Sequence, residues 1–143
     1  SLLLKLTKSP SVLIALSETK IDCIILKQDE CNHFREKVKQ KFANANREPL
    51  WEVLNECKSI YNPDGWKLIA DFISNDSPIL FCDVLNDQRM YIFNNMLELN
   101  IVLAECPGFT FYVTSKTLDY LFCFNDHDYL IGCGKACTFL EGL

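Results

Sequence analysis

Four residues near the C-terminal end carry the side chains best suited to chemistry. Cys123, His127, Cys133 and Cys137 are separated by three, five and three intervening residues. Three thiolates and an imidazole are a tetrahedral zinc set. The spacing matches no common zinc class, however. No Cys-x2-Cys pair is present, and Cys123 stands between Phe122 and Phe124. The reading from the residues is therefore no metal and no cofactor. The same residues also admit a nucleophile. Cys133 lies between Gly132 and Gly134, where backbone amides can form an anion-holding nest. His127 would act as its base, oriented by Asp126 or Asp128. Such a cysteine-dependent or metal-assisted hydrolase needs the thiol and imidazole to converge in a cleft. His33 lies in a charged segment, so this enzyme rests on His127 alone. The plainer reading of residues 125–128 is a tight turn closed by Asx-type hydrogen bonds, with His127 simply part of it.

The carboxylates invite a different chemistry. Asp119, Asp126, Asp128 and Glu141 cluster around turns, with only Lys116 and Lys135 to offset them. They are candidates to meet a basic partner. Tyr129, like Tyr112 and Tyr120, joins an apolar ring to a polar tip and suits an interface anchor. Most other aromatics there are expected in the core. The charge of the chain supports this division. Residues 1–50 hold 9 Lys/Arg against 6 Asp/Glu, a net of +3, while residues 51–143 hold 5 against 13, a net of −8. An acidic C-terminal two-thirds disfavours nucleic acid, because phosphates need Lys and Arg. It suits a basic protein, or simply keeps the surface solvated. Gly132-x-Gly134 followed by Lys135 lacks the third glycine and the helix context of a phosphate loop.

These side chains need a scaffold. Residues 109–114 alternate aromatic or β-branched residues with threonine and read as a strand. Ser115 predicts a helix N-cap, with Leu118, Leu121 and Phe122 at helical spacing behind it. A polar turn at 125–128, a short strand from Tyr129 ending at the glycines, and a final short helix or tail at 136–140 follow. Upstream, residues 2–6 read as a strand or helix start. Ser9 to Ser11 form a turn or cap before a short helix at 12–16, and 21–26 a strand. Residues 28–42 are the clearest helix, with Phe34, Val38, Phe42 and Cys31 inward and Arg35 among the charged outer residues. Residues 50–57 predict a second helix and 66–73 a third, with the Asn62-Pro63-Asp64-Gly65 turn between them. Residues 79–84 and 90–93 pair as a hairpin around Asn86-Asp87-Gln88. Asn94 or Asn95 caps a helix through Ala104, ended by Cys106-Pro107-Gly108.

The length suits one domain over 1–143, with no linker, repeat or low-complexity stretch. The order of elements predicts an α+β fold: a small mixed or antiparallel sheet of four to five strands flanked by helices. Most of the eight cysteines sit in apolar runs, where cysteine behaves as a small hydrophobe. Reduced thiols and a cytoplasmic location are expected. Residues 2–16 are apolar enough to suggest a signal peptide. Lys5, Lys8 and Pro10 interrupt them, no small-residue cleavage site follows, and the run is too short to span a bilayer.

From Trp66 onward the chain resembles a known class. The residues concerned are Trp-Lys-Leu-Ile-Ala, Pro-Ile-Leu-Phe-Cys-Asp, Tyr-Ile-Phe, Phe-Tyr-Val-Thr, and Asp-Tyr-Leu-Phe-Cys-Phe-Asn-Asp-His-Asp-Tyr-Leu-Ile-Gly-Cys-Gly. They resemble small bacterial α/β proteins found beside polymorphic toxins, among them immunity proteins of contact-dependent growth inhibition systems. The resemblance covers roughly half of the chain. It implies a non-enzymatic cytoplasmic protein that binds a cognate protein toxin domain, often a nuclease, and blocks it. The acidic and aromatic residues Asp119, Asp126, Asp128, Tyr129 and Glu141 would supply the contact. The alternatives are the Cys133/His127 hydrolase and a general protein-interaction module.

Overall fold

Runs of alternating side chains, punctuated by tight turns, build one antiparallel sheet with helices on both faces. The computed structural model describes residues 11–73, 76–106 and 108–143. Five α-helices lie among them: α1 (Ser11–Thr19), α2 (Gln28–Phe42), α3 (Ile69–Phe72), α4 (Met96–Ala104) and α5 (Lys135–Glu141). The strands are β1 (Ile24–Ile25), β2 (Cys57–Tyr61), β3 (Ile79–Phe81), β4 (Met90–Ile92), β5 (Phe111–Thr114), β6 (Tyr120–Phe124) and β7 (Tyr129–Gly134). They pair in the order β1-β4-β3-β5-β6-β7-β2, every neighbour antiparallel. The α+β class and the antiparallel sheet agree with the sequence. The strand count does not: the sheet has seven strands among the described residues rather than four to five.

Strand pleating sorts the side chains into two cores. Leu80, Tyr91, Phe93, Phe111, Val113, Phe122 and Leu130 face α1, α3, α4 and α5. Ile79, Phe81, Met90, Tyr112, Leu121, Cys123 and Ile131 face α2 and the 3-10 turn Leu50–Val53. Burying each large side chain of this kind contributes about 1.5–3 kcal/mol. With both faces covered at the centre of the sheet, every residue of β6 is buried. Its sequence is therefore a continuous apolar run, which periodicity cannot separate from a helix. Accordingly Ser115 caps no helix. It opens a turn in which the Leu118 N–H donates to the Ser115 carbonyl, and β6 follows.

The second correction lies at residues 50–57. Leu50, Val53, Leu54 and Cys57 are at helical spacing, yet the helical part ends at Val53 and Cys57 starts β2. This edge strand is largely exposed, so its side chains lack a strong apolar alternation. The helix α2 has the predicted limits, and the Glu30 carboxylate accepts from the Lys27 N–H at its start. Arg35, expected outside, is buried. Its guanidinium donates to the carbonyls of Cys82 (2.8 Å) and Asp87 (3.2 Å) and stacks over Phe81. The helix thereby docks on the end of the β3–β4 hairpin. Asn95 caps α4 as expected, its side chain accepting from the Glu98 N–H at 2.8 Å. The elements expected at 2–6 and Ser9-Pro10, and the stops at Asn75 and Pro107, lie outside the described residues. No helix among the described residues is long and apolar enough to cross a membrane.

Candidate functional site

The turn between β6 and β7 is built by Asn125. Its side-chain oxygen accepts from the N–H groups of His127 and Tyr129, both at 3.0 Å. Its own N–H donates to the Tyr129 carbonyl, and Asp128 N–H donates back to the Asn125 carbonyl. Asp128 takes a φ of +65°, a conformation that Asx residues tolerate better than most. The expected Asx-type closure is thus present. It places Asp126 and His127 at an exposed tip, with the His127 ring edge-on to Trp51, centroids 6.0 Å apart.

Trp51 is held from below. Its backbone N–H donates to the Tyr112 hydroxyl (3.0 Å), and that hydroxyl donates to the Asp83 carboxylate (3.0 Å). Asp83 also accepts from the Leu50 N–H at 2.9 Å. The 3-10 turn carrying Trp51 is therefore tied to the middle of the sheet by a buried polar chain. Burial raises the Asp83 pKa above the usual carboxylate value, and the nearby Glu48 adds to the rise.

Beyond Trp51 the covering layer stops. The face of β2 is left exposed there and forms, with the adjoining end of β7, an open cleft of about 470 Å3 lined by Trp51, Cys57, Ser59, His127, Tyr129 and Ile131. Tyr61 and Tyr129 are cross-strand partners at its outer end, their rings edge-to-face at 5.5 Å and both exposed. Glu52 supplies a carboxylate at the rim, and Asp126 adds one beside His127. Among the described residues Asp126 has only His127 at ion-pair range, 3.7 Å away.

The five expected partner-binding residues do not form one patch. Asp126 and Tyr129 belong to the cleft side of the turn. Asp128 instead lines a smaller apolar hollow of about 190 Å3 beside Pro63, Trp66 and Phe124. Asp119 precedes β6 at the opposite end of the strand, roughly 17 Å away by strand rise. There it accepts from Thr117 Oγ1 at 2.9 Å and sits 4.0 Å from Lys135. Glu141 lies on α5, which covers the other face, and accepts from Cys137 Sγ at 3.0 Å. Pairing in sequence distance did not become pairing in space, because β6 runs away from one turn and β7 returns to it.

The thiol–imidazole arrangement is not assembled. Cys133 is fully buried and packs against Cys57, while His127 stands on Trp51 at the far end of β7. Burial also pushes the Cys133 thiol up, away from the thiolate a nucleophile needs. The flanking glycines serve packing. A Cβ at Gly132 would lie 2.8 Å from the Ala136 carbonyl oxygen and from Leu140 Cδ1, so α5 can fold back only over glycine. Gly134 has φ +61°, and its Cβ would lie 2.7 Å from the Asp119 carbonyl oxygen. Nor do the four candidate zinc ligands converge. Cys123 is sealed in the core, Cys137 is on α5, and among the described residues no three His, Cys, Asp or Glu side chains gather at one point. All eight cysteines are free thiols.

Trp51, Glu52, Cys57 and Tyr61 were not singled out by sequence reasoning. The signal for Cys57 and Tyr61 was the alternation Cys57, Ser59, Tyr61, which puts these side chains on one face once residues 57–61 are read as a strand. No family model matches the chain, and neither does any curated protein or solved structure.

Proposed function

We propose that this protein is a binding protein that captures and neutralises a cognate toxin domain, in the manner of a bacterial immunity protein. The observation that carries the reading is the open aromatic cleft at the β2–β7 end of the sheet. Trp51, Tyr61 and Tyr129 offer large rings with polar tips in a half-wet setting, the composition of interface anchors. Glu52 lines the cleft and Asp126 stands beside its His127, within a chain segment of net charge −8. A basic protein surface, such as one shaped to hold phosphate in a nuclease, fits both features: apolar pockets for the rings and cations for the carboxylates. Such a binder needs no cofactor and would act in the cytoplasm, before the toxin reaches its substrate.

The test is to read the neighbouring genes for a large secreted protein with a variable C-terminal domain and to co-express that domain with this chain. Protection from growth arrest, with a complex that co-purifies, is the expected result. Replacing Trp51 by alanine should weaken that complex by about 2 kcal/mol, roughly 30-fold, as for a central aromatic anchor. Asp126→Asn should weaken it by about 0.5–1 kcal/mol, and the difference should shrink as salt rises. Unaltered toxicity and no complex would refute the reading.

A further inference from the structure

Cys57 and Cys133 are directly opposed residues of β2 and β7. The hydrogen-bond parity of this ladder fixes which kind of pair they form. Asn62 N–H donates to the Asp128 carbonyl at 2.9 Å, continuing the register past Tyr61 and Tyr129. The pair 62/128 is therefore hydrogen-bonded, and so by alternation are 60/130 and 58/132. The pairs 61/129, 59/131 and 57/133 fall at the non-hydrogen-bonded positions, where opposing side chains come closest. There the Cα atoms lie about 4.5 Å apart, inside the roughly 4.4–6.8 Å that a disulfide spans. Both thiols point to the cleft side of the sheet. Cys57 is exposed at the cleft wall, and Cys133 is sealed beneath it.

From this geometry we propose that Cys57 and Cys133 form a thiol oxidation site, closing to a cross-strand disulfide at the expense of a small-molecule disulfide such as oxidised glutathione. Cys57, as its thiolate, attacks one sulfur of the reagent. A mixed disulfide forms at Cys57, and one small thiolate leaves. Cys133, slow to ionise where it is buried, then gives up its proton to solvent and attacks Cys57 Sγ as the thiolate, expelling the second small thiolate; this resolution is the slow step. The two protein thiols lose two electrons and two protons in all, and the reagent becomes two thiols. The division of labour within the pair follows from exposure: of the two, Cys57 meets the reagent, and Cys133, directly opposite, is in line to resolve the adduct. Cys137, on α5 at the outer side of β2, is bonded to Glu141 and is not cross-strand to Cys57.

The experiment treats the folded protein with oxidised glutathione, quenches with acid, alkylates the remaining thiols and maps peptides by mass spectrometry. The expected result is a linked peptide pair containing Cys57 and Cys133, with the loss of two free thiols per chain. Cys57→Ser should abolish it, and Cys137→Ser should leave it intact. Cys133→Ser should trap the glutathione adduct on Cys57. Should Cys133→Ser fail to fold, the wild type and the two other variants still decide. A Cys57–Cys137 link, or a wild-type chain that stops at the adduct, overturns the assignment.

Discussion

Tyr112→Phe removes one oxygen and tests whether the cleft is held by the buried polar chain beneath it. Tyr112 is buried, and its ring stacks on Phe81 with centroids 5.0 Å apart, so the phenyl ring of the variant keeps its place. What is lost is the hydroxyl, with two consequences. The partly buried Trp51 N–H loses its acceptor at 3.0 Å, and buried Asp83 loses a donor, leaving the Leu50 N–H. A bond to a charged acceptor is worth about 1.5–3 kcal/mol, and an orphaned buried donor costs about 1–3 kcal/mol. The two overlap, since one hydroxyl serves both, and water can reach the Trp51 side. The expected loss is about 2–3 kcal/mol, or roughly 6–12 °C in Tm for a domain of this length. Urea unfolding measures the free energy. Near-ultraviolet circular dichroism measures the order around Trp51, and its signal should diminish in the folded variant. A loss below about 0.5 kcal/mol with an unchanged aromatic signal would refute the argument, because an ordinary surface change costs no more than that.

Other outcomes follow from the packing and charge of the same fold. Gly132→Ala should cost about 1–3 kcal/mol in urea unfolding, because its Cβ must displace the backbone of α5 at Ala136 rather than a flexible side chain. Asp83 gives a pH test with a definite sign. Its pKa is raised in the folded state, so the folded chain holds a proton the unfolded chain releases. Its contribution is complete below the unfolded carboxylate pKa and fades as pH rises through the folded one. Asp83→Asn should therefore be most destabilising in acid, and the gap to wild type should narrow towards neutral pH. Leu85→Ser should leave the unfolding midpoint within error, since Leu85 is 95% exposed at the tip of the β3–β4 connection.

The sequence revealed elements whose stability is local. The helix α2 carries its own amphipathic stripe, its own acidic start and its own basic end, and its limits were read correctly. Asn95 and the Asn125 turn were legible for the same reason: the side chain that makes the structure is adjacent to the backbone it bonds. The failures share the opposite property. The strand β6 owes its form to two cores assembled from distant segments, so its run of five apolar residues carries no period of its own. The strand β2 is a strand because β7 lies beside it, and its exposed side chains follow no burial pattern. Arg35 is inside because the carbonyls of Cys82 and Asp87 wait for it 47 and 52 residues away.

This explains why the site itself was half legible. Asp126 and Tyr129 belong to a local turn and stayed together, whereas Asp119 and Glu141 were grouped with them only by proximity along the chain. Their true companions come from residues 51–61, a segment that gains its place by completing the far edge of the sheet. The cleft is thus a property of a boundary: the covering layer of α2 and the Leu50–Val53 turn ends at Trp51, and β2 extends the sheet past it. A rigid sheet face left bare beside an aromatic wall has a defined shape before any partner arrives, which lowers the ordering cost of binding. Charge alone would leave partner choice loose, since exposed carboxylates are screened by salt. On the proposed reading, the rings and the preset shape would therefore carry most of the affinity, and the carboxylates chiefly the rate and direction of approach. That ordering is why the Trp51 change should weaken a complex far more than the Asp126 change, and why only the latter should fade in high salt.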